Sequence, residues 1–238
     1  MRMSLTKVCC IASLVFCSIT SYAHDSLTYI YFDFPPYIYT DGAGQAKGVL
    51  AEVVENVFSR ANVKYEMYEN PNRRASQLVN DGRLTFSIAP TFVLNNPGDF
   101  LIGKNTIATI ELAVFWHGDT APVSKIDELV GHSIILMSAY RYDGLREFAD
   151  NRANKVTIAV NAENHLSALQ ALKAGRGDYL IDYRKPIEDA LSKEPIASLR
   201  STTISEFEMK FIILRSAFNA EAIMARLEKA YAEIYMGQ

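Results

Sequence analysis

The chain has 238 residues, of which 49% are hydrophobic, 21% charged and 11% aromatic, and its formal net charge is −3. This composition is typical of a globular protein of one or two domains, because intrinsic disorder needs far fewer apolar residues and a disulfide scaffold far more cysteine. With 24 basic against 27 acidic residues, the chain has no general attraction to nucleic acid, and no nucleic-acid partner is expected.

The N-terminus has the three parts of a secretory signal peptide. Arg2 and Lys7 precede an apolar stretch over residues 8–19, and Ser21–Ala23 is an A-x-A-like cleavage site. This pattern predicts a signal peptide over residues 1–23, cleavage after Ala23 and export to the periplasm. The alternative, a membrane anchor that stays attached, fits these flanks less well.

Cleavage would also remove every cysteine of the chain, namely Cys9, Cys10 and Cys17. The mature protein would have 215 residues and a net charge of −5, since the segment carries two basic residues and no acidic ones. It would contain no disulfide and no thiolate metal site. No later run reaches the 18 or so apolar residues of a membrane span, so we expect an exported, soluble protein.

After the signal peptide, short apolar strands alternate with amphipathic helices, which is typical of α/β architecture. In the first block, strands are predicted at Leu27–Phe32, Val63–Tyr68, Leu84–Ala89 and Ala113–Phe115, and helices at Gly48–Ala61 and Arg74–Asn80.

A second block of the same kind starts near Pro122. The predicted elements are a helical turn at Ile126–Val130, strands at Ser133–Met137, Lys155–Val160, Asp178–Asp182 and Glu208–Leu214, and helices at Tyr142–Asn151, Ala162–Ala174, Pro186–Ser192 and Ala220–Tyr235.

Two extended segments, about 107–114 and 202–209, could each run from one block to the other. Two crossings imply that one lobe contains both ends of the chain while the other is a contiguous insert. Such a topology leaves a cleft between two hinged lobes, and we expect each lobe to have a sheet of its own.

Five sequence features carry a resemblance to a known family. They are Asp33–Tyr37 (DFPPY), Asp41-Gly42, Gly48 at the start of the first helix, Ile126–Gly131 (IDELVG) and Ala168–Asp178 (ALQALKAGRGD). In this order and spacing they resemble the periplasmic solute-binding proteins of the amino-acid (family 3) type, the substrate-binding domains of ABC transporters. The departures described below place the chain in a divergent branch.

The resemblance implies an α/β, two-lobed periplasmic binding protein type II fold with two hinge crossings and an interlobe cleft. Lobe one would comprise residues 24–110 and 205–238, and lobe two residues 111–204. It further implies a non-enzymatic, monomeric protein without a cofactor that binds a small polar or amino-acid-like solute for delivery to an ABC importer. Its partners would be that solute and an inner-membrane permease or sensor.

The family encloses its ligand with aromatic side chains at the cleft mouth, and Phe34 and Tyr37 match those positions, although plain core packing is an equal alternative for Tyr37. The family's carboxylate anchor is a Gly-x-Thr-x-Thr-x-x-Arg stretch. The equivalent run, Ile88–Asp99, keeps a hydroxyl at Thr91 but has no arginine or lysine. The usual carboxylate site is therefore absent or rebuilt.

Two arginines could replace the missing cation. Arg74 lies at the predicted start of a helix, and Arg141 follows Tyr140 in a loop of lobe two; each could instead be a surface charge. The family's amine anchor is also displaced, because Asp182 follows Asp178 by four residues rather than five. A one-residue shift in a strand turns the side chain to the opposite face, so Asp182 reaches the cleft only if the strand has already ended.

Two other classes of function stay open. The same scaffold can serve as the ligand-sensing partner of a membrane receptor, or as a dehydratase-like enzyme in which Asp33 or Asp182 acts on a buried ligand. No catalytic motif supports the enzyme, and no catalytic residue is predicted. The histidines (His24, His117, His132 and His165) lack metal-ligand spacing, so no metal site is expected.

Overall fold

The computed structural model describes residues 26–70, 74, 77–78, 81, 84–138, 140 and 142–237. The predicted signal peptide, Arg141 and most of the predicted helix at residues 74–80 lie outside the described residues.

The described residues form eleven strands and five α-helices. The strands are β1 (Ser26–Tyr31), β2 (Tyr39–Thr40), β3 (Ala46–Lys47), β4 (Lys64–Glu69), β5 (Phe86–Ala89), β6 (Phe100–Ile102), β7 (Ala108–Trp116), β8 (Ser133–Met137), β9 (Thr157–Ala162), β10 (Tyr179–Tyr183) and β11 (Arg200–Leu214). The helices are α1 (Val49–Ala61), α2 (Leu145–Asp150), α3 (His165–Lys173), α4 (Arg184–Lys193) and α5 (Ala220–Tyr231). Short 3₁₀ turns lie at Thr91–Val93, Pro97–Asp99, Ile126–Leu129 and Arg152–Asn154, and a π-helical turn at Ala232–Met236.

Nine of the strands form one hydrogen-bonded sheet: eight follow the order β4-β1-β5-β11-β7-β10-β8-β9, and β6 pairs with β11 off this path. The first half of this sheet has β1 parallel to β4 and β5, and the second half has β8 parallel to β9 and β10. The strand pair β2–β3 stands apart. Parallel strands linked by helices confirm the predicted α/β class.

The two halves are joined through β7 and β11, which pair antiparallel along Arg200–Met209 of β11. The rest of β11, from Lys210 to Leu214, pairs with β5 and β6. The extended segments predicted to cross between the blocks are therefore strands that run through both. The prediction that each lobe has a sheet of its own is therefore wrong. Strands β7 and β11 hydrogen-bond to each other and join the strands of both halves into one sheet.

Helix α1 forms where the predicted periodicity places it, and it buries Leu50, Val54 and Phe58. Gly48 precedes it with φ of 101°, and a Cβ there would lie 2.6 Å from the carbonyl oxygens of both Pro36 and Tyr37. The Leu50 N–H also donates to the Tyr37 carbonyl at 2.8 Å. The start of α1 is therefore fastened against the loop that follows β1.

In the second half, Asp178 connects the starts of two strands. Its carboxylate accepts hydrogen bonds from the Ser133 N–H at 2.8 Å and from the Ser133 hydroxyl at 2.7 Å. Helix α3 begins at a capping box in which Asn164 and Ser167 satisfy each other's backbone N–H groups. This cap fixes the first turn of α3, which contains His165.

Several elements differ from the prediction, and two of these differences have a clear physical reason. The helix expected from Tyr142 begins only at Leu145, because Tyr142, Asp143 and Gly144 have φ of 56°, 42° and 84° and cannot continue a right-handed helix. Strand β6 was not predicted, since its three residues are too short to show alternation.

Candidate functional site

A cavity of about 120 Å³ lies where the two halves of the sheet meet. Most of its wall comes from β1, β5 and the loops after them. The second half of the molecule contributes Tyr140, Tyr142 and Tyr183, and the remainder comes from Leu50 on α1 and from Ile110 and Met209 on the connecting strands. Its aromatic lining consists of Tyr29, Tyr31, Phe32, Phe34, Phe92, Tyr140, Tyr142 and Tyr183. No charged side chain lines it within the described part of the chain.

Phe34 is the centre of the aromatic contacts at this cavity. Its ring stacks on Tyr37 with centroids 5.0 Å apart, and meets Tyr140 and Tyr183 edge-on at 5.7 and 5.3 Å. Each such pair contributes roughly 0.5–1.5 kcal/mol beyond the area it buries. The loop that carries Phe34 closes on itself through reciprocal backbone hydrogen bonds with Ile38, at 2.7 and 3.0 Å. Phe34 therefore connects both parts of the molecule from a fixed loop.

Behind the aromatic wall lies a buried chain of three polar side chains. The Tyr140 hydroxyl is 3.1 Å from His165 Nε2, and His165 Nδ1 is 2.7 Å from an Asp182 carboxylate oxygen. The other Asp182 oxygen accepts the Tyr183 N–H at 2.8 Å. Burial raises the pKa of Asp182, against the hydrogen bond from His165, which lowers it. Burial likewise raises the pKa of Tyr140.

Asp182 and Tyr183 occupy opposite faces of β10. Asp182 is fully buried and bonded to His165 on α3, whereas Tyr183 lines the cavity. The alternation of a strand explains the difference. Asp182 was expected to reach the cleft only if the strand ended before it, but β10 extends through Tyr183. Asp182 is therefore connected to the cavity wall through its hydrogen bond to His165, which in turn contacts Tyr140.

The loop that carries Tyr140 is held from two sides. Arg146 donates from Nε to the Tyr140 carbonyl at 2.6 Å and from its terminal nitrogens to the Met137 carbonyl and the Asn161 side chain. The Tyr142 hydroxyl accepts the Met137 N–H at 2.9 Å. These bonds stabilise the left-handed residues that follow Tyr140 and fix the position of its ring.

Acidic side chains lie next to the aromatic cluster. Asp33, between two of its phenylalanines in sequence, is exposed; partial burial and the charge of Glu69 raise the pKa of its carboxyl, while the charge of His165 lowers it. Glu111 on β7 accepts hydrogen bonds from Arg184 at 2.8 Å and from Thr203 at 2.7 Å. These two bonds lower the pKa of Glu111.

The structure brings three of the predicted site residues together at the cavity. Phe34 and Tyr140 line it, and Tyr37 stacks on Phe34 from a half-buried position. Thr91 and Arg74 are exposed and do not line the cavity, although the residues on either side of Thr91 do.

Sequence reasoning missed His165 and Tyr183. The sequence indicates no role for His165 beyond its lack of metal-ligand spacing, and the contact between α3 and β10 reveals its bond to Asp182. Tyr183 had a detectable signal, because a strand that turns Asp182 away from the cleft must turn the next residue toward it.

The described residues contain no group of three His, Cys, Asp or Glu side chains arranged to hold a metal ion. In the same part of the chain, no helix has the length and apolar character needed to cross a membrane.

The sequence matches no protein-family model, and no curated protein is significantly similar to it. Solved structures, in contrast, match over most of the chain. A histidine kinase sensor domain with similarity to periplasmic binding proteins superposes with a TM-score of 0.70 at 16% identity, covering 90% of this chain and 92% of its own. An ancestral arginine-binding protein bound to arginine gives 0.68 at 15% identity, covering 90% and 93%.

The substrate-binding protein of an amino acid ABC transporter gives a TM-score of 0.64 at 14% identity, covering 89% of this chain and 94% of its own. Together these similarities confirm the two-lobed fold of periplasmic binding proteins that the sequence resemblance implied. The low identities agree with the expected divergence.

Proposed function

We propose that the protein binds a small polar or amino-acid-like solute in the cleft between two lobes and delivers it to an ABC importer. The observation that carries this proposal is the aromatic cavity to which both parts of the fold contribute, with Phe34 on one side and Tyr140 and Tyr183 on the other. Concave, mostly apolar sites between domains are the usual place for small ligands.

The proposed lobes are residues 24–110 with 205–238, and residues 111–204. Strands β7 and β11 form the connection between them. Arg184 links these two strands, because it donates hydrogen bonds to Glu111 on β7 and to Ser201 and Thr203 on β11. Opening about this connection would separate the aromatic rings of the two lobes and admit a solute.

Within the cleft, Phe34 and Tyr37 would form the apolar wall and Tyr140 the polar contact of lobe two, with Asp182 acting through His165. Thr91, which is exposed and lies between two cavity-lining residues, would contribute a hydroxyl at the lobe-one edge of the cleft. A solute with a carboxylate would need Arg74 or Arg141 as its cation, since a buried anion must be paired.

The chain would act in the periplasm as a monomer after removal of residues 1–23, with an inner-membrane permease as its partner. A role as the ligand-sensing partner of a membrane receptor is the second candidate. It is favoured by the structural similarity to a histidine kinase sensor domain.

A thermal-shift screen of residues 24–238 against amino acids, polyamines and small carboxylates tests the proposal. A ligand present at about 100 times its Kd adds roughly 2.7 kcal/mol to stability, which raises the Tm of a chain of this size by roughly 5–10 °C. We expect at least one solute to produce such a shift without being converted. A screen in which no solute stabilises the protein, or in which the hit is turned over, would contradict the proposal.

A further inference from the structure

Five deeply buried residues of the cavity wall have aliphatic or thioether side chains. They are Ile38, Leu50, Ile88, Ile110 and Met209, and each is between 1% and 6% exposed. They come from α1, from three strands of the sheet and from the loop after β1. A polar group placed against these side chains would lose its hydration without gaining a hydrogen bond from them. This part of the wall therefore favours an apolar group of the solute.

Three tyrosine hydroxyls of the wall already have partners within the protein. The Tyr31 hydroxyl lies 2.8 Å from that of Thr40, and the Tyr140 hydroxyl lies 3.1 Å from His165 Nε2. The Tyr142 hydroxyl accepts a backbone N–H at 2.9 Å. These hydroxyls are satisfied without a ligand, so what the three residues add to a bound group is mainly contact with their rings.

Aromatic rings of both proposed lobes meet at steep angles around the cavity. Phe34 meets Tyr140 at 86° and Tyr183 at 72°, and Phe32 meets Tyr140 at 62°. Because ring faces attract ring edges, an additional aromatic ring among them gains contacts of the same kind. An aliphatic group gains only from the apolar area it buries. The arrangement therefore favours an aromatic group over an aliphatic one.

The volume of the cavity sets the size of that group. At about 120 Å³ it is much smaller than a pocket that encloses a whole ligand, which is roughly 300–1,000 Å³. An apolar cavity of about 150 Å³ is enough to hold a benzene molecule. The space is therefore suited to one six-membered ring and not to a complete solute.

We infer that the solute of this cleft carries an aromatic ring, which occupies the cavity between Phe32, Phe34 and Phe92 of one lobe and Tyr140 and Tyr183 of the other. The inference rests on the proposed binding function and specifies the chemical class of its solute. The polar group of the solute stays outside this space, at the opening between the lobes.

Pairs of probes that share a polar group and differ only in phenyl against isopropyl test the inference. Residues 24–238 are titrated calorimetrically with phenylalanine against leucine, phenylacetate against 3-methylbutanoate, and phenethylamine against 3-methylbutylamine. We expect at least one phenyl probe to bind, and to bind at least tenfold more tightly than its isopropyl partner. The absence of such a preference from all three pairs, including the absence of any binding, would overturn the inference.

Three variants locate the ring. Phe32→Leu and Phe92→Leu each replace a half-buried, cavity-lining ring by an aliphatic side chain. At least one of the two should weaken binding of the phenyl probe threefold or more, and more than it weakens binding of the isopropyl partner. Tyr68→Leu removes a ring that is 50% exposed and lies on β4, outside the cavity. This control should leave the affinity within twofold of wild type, and circular dichroism verifies that each variant is folded.

The possible failures are distinguishable. If neither Phe32→Leu nor Phe92→Leu weakens binding of the phenyl probe threefold, the ring does not occupy this cavity and the inference is overturned. If the thermal-shift screen finds only solutes without an aromatic ring, such as arginine, the inference fails and the proposed binding function stands. If no solute in that screen stabilises the protein, the proposed function itself fails.

Discussion

Phe34 shows how much of the proposed site depends on one side chain. It is 3% exposed and contacts rings from both parts of the molecule. Because it supplies apolar contact rather than a charge, Phe34→Ala should weaken ligand binding by roughly 1–3 kcal/mol. Titration of the best thermal-shift hit measures this loss. Phe218→Ala, at a residue that is 59% exposed, serves as the control and should bind normally.

The pair of Asp182 and His165 predicts a strong coupling in stability. His165→Ala leaves the buried Asp182 carboxylate with the Tyr183 N–H as its one remaining hydrogen-bond donor among the described residues, and should lower the free energy of unfolding by about 1–3 kcal/mol. The double variant Asp182→Asn with His165→Ala should lose less free energy of unfolding than the two single variants together, because it no longer contains an unpaired buried carboxylate. Urea denaturation of the three variants measures the cycle, and strictly additive losses would show that the pair is not coupled.

At the residue scale, local sequence was informative where a motif specified the position. Phe34 and Tyr140 could be selected because they stand beside a proline pair and in a predicted loop of lobe two. His165 could not, because its partner is 17 residues away on another element and nothing local distinguishes it from a surface histidine. The role of Arg146 could not be predicted either, since its acceptors include the backbone carbonyls of Met137 and Tyr140, which carry no side-chain signal in the sequence.

The contact between α1 and the loop after β1 depends on the absence of a side chain at Gly48. A methyl group there would meet the Pro36 and Tyr37 carbonyls at 2.6 Å, in a backbone conformation that L-residues rarely adopt. Gly48→Ala should therefore destabilise the protein by roughly 1–3 kcal/mol. Gly42→Ala is the matched control, because no atom lies within 4 Å of the added methyl. Equal midpoints in urea for both variants would contradict this account.

We predict that Asp178, which joins the starts of β8 and β10, makes the stability of the protein modestly pH-dependent. The hydrogen bonds from Ser133 hold the pKa of its carboxyl below the usual value. A depressed folded-state pKa gives stability that is present above the unfolded pKa and is lost as the pH falls through the folded value. Its side chain is 47% exposed, so solvent screening limits the contribution to about 1 kcal/mol.

Comparing Asp178→Asn with wild type in urea at pH 7 and at pH 3 tests this prediction. The variant should be less stable at pH 7, and the difference should shrink at pH 3, which is below the ordinary pKa of an aspartate, so that part of the stabilising charge is lost. A difference that stays constant between the two pH values would show that the charge of Asp178 makes no contribution.

At the element scale, periodicity predicted the long elements and missed the short ones. Helix α1 and strand β8 lie where their apolar patterns place them, because burial against the sheet agrees with the local signal. The predicted start of α2 is too early because Tyr142, Asp143 and Gly144 are left-handed, a conformation stabilised by hydrogen bonds of Arg146 and of the Tyr142 hydroxyl. Backbone geometry of this kind has no signature in hydrophobic periodicity.

For the whole molecule, two extended segments between two α/β blocks were enough to predict a two-lobed fold. The continuous ladder was not predictable, because it depends on β7 and β11 lying side by side and not merely crossing. The core shows the same continuity: one cluster of buried apolar side chains contains residues of both halves, from Val54 and Phe86 to Leu169 and Leu180.

The central claim is that one solute contacts both lobes at once, and titration of variants in the two lobes tests it most directly. The best hit from the thermal-shift screen is titrated into wild type, Phe34→Leu and Tyr183→Leu, which change one cavity-lining aromatic residue in each proposed lobe. The account predicts one bound solute per wild-type chain and a weaker affinity in both variants, which keep an apolar side chain but lose the aromatic face. Wild-type affinity in both variants would contradict it, because the solute would then bind outside the cleft.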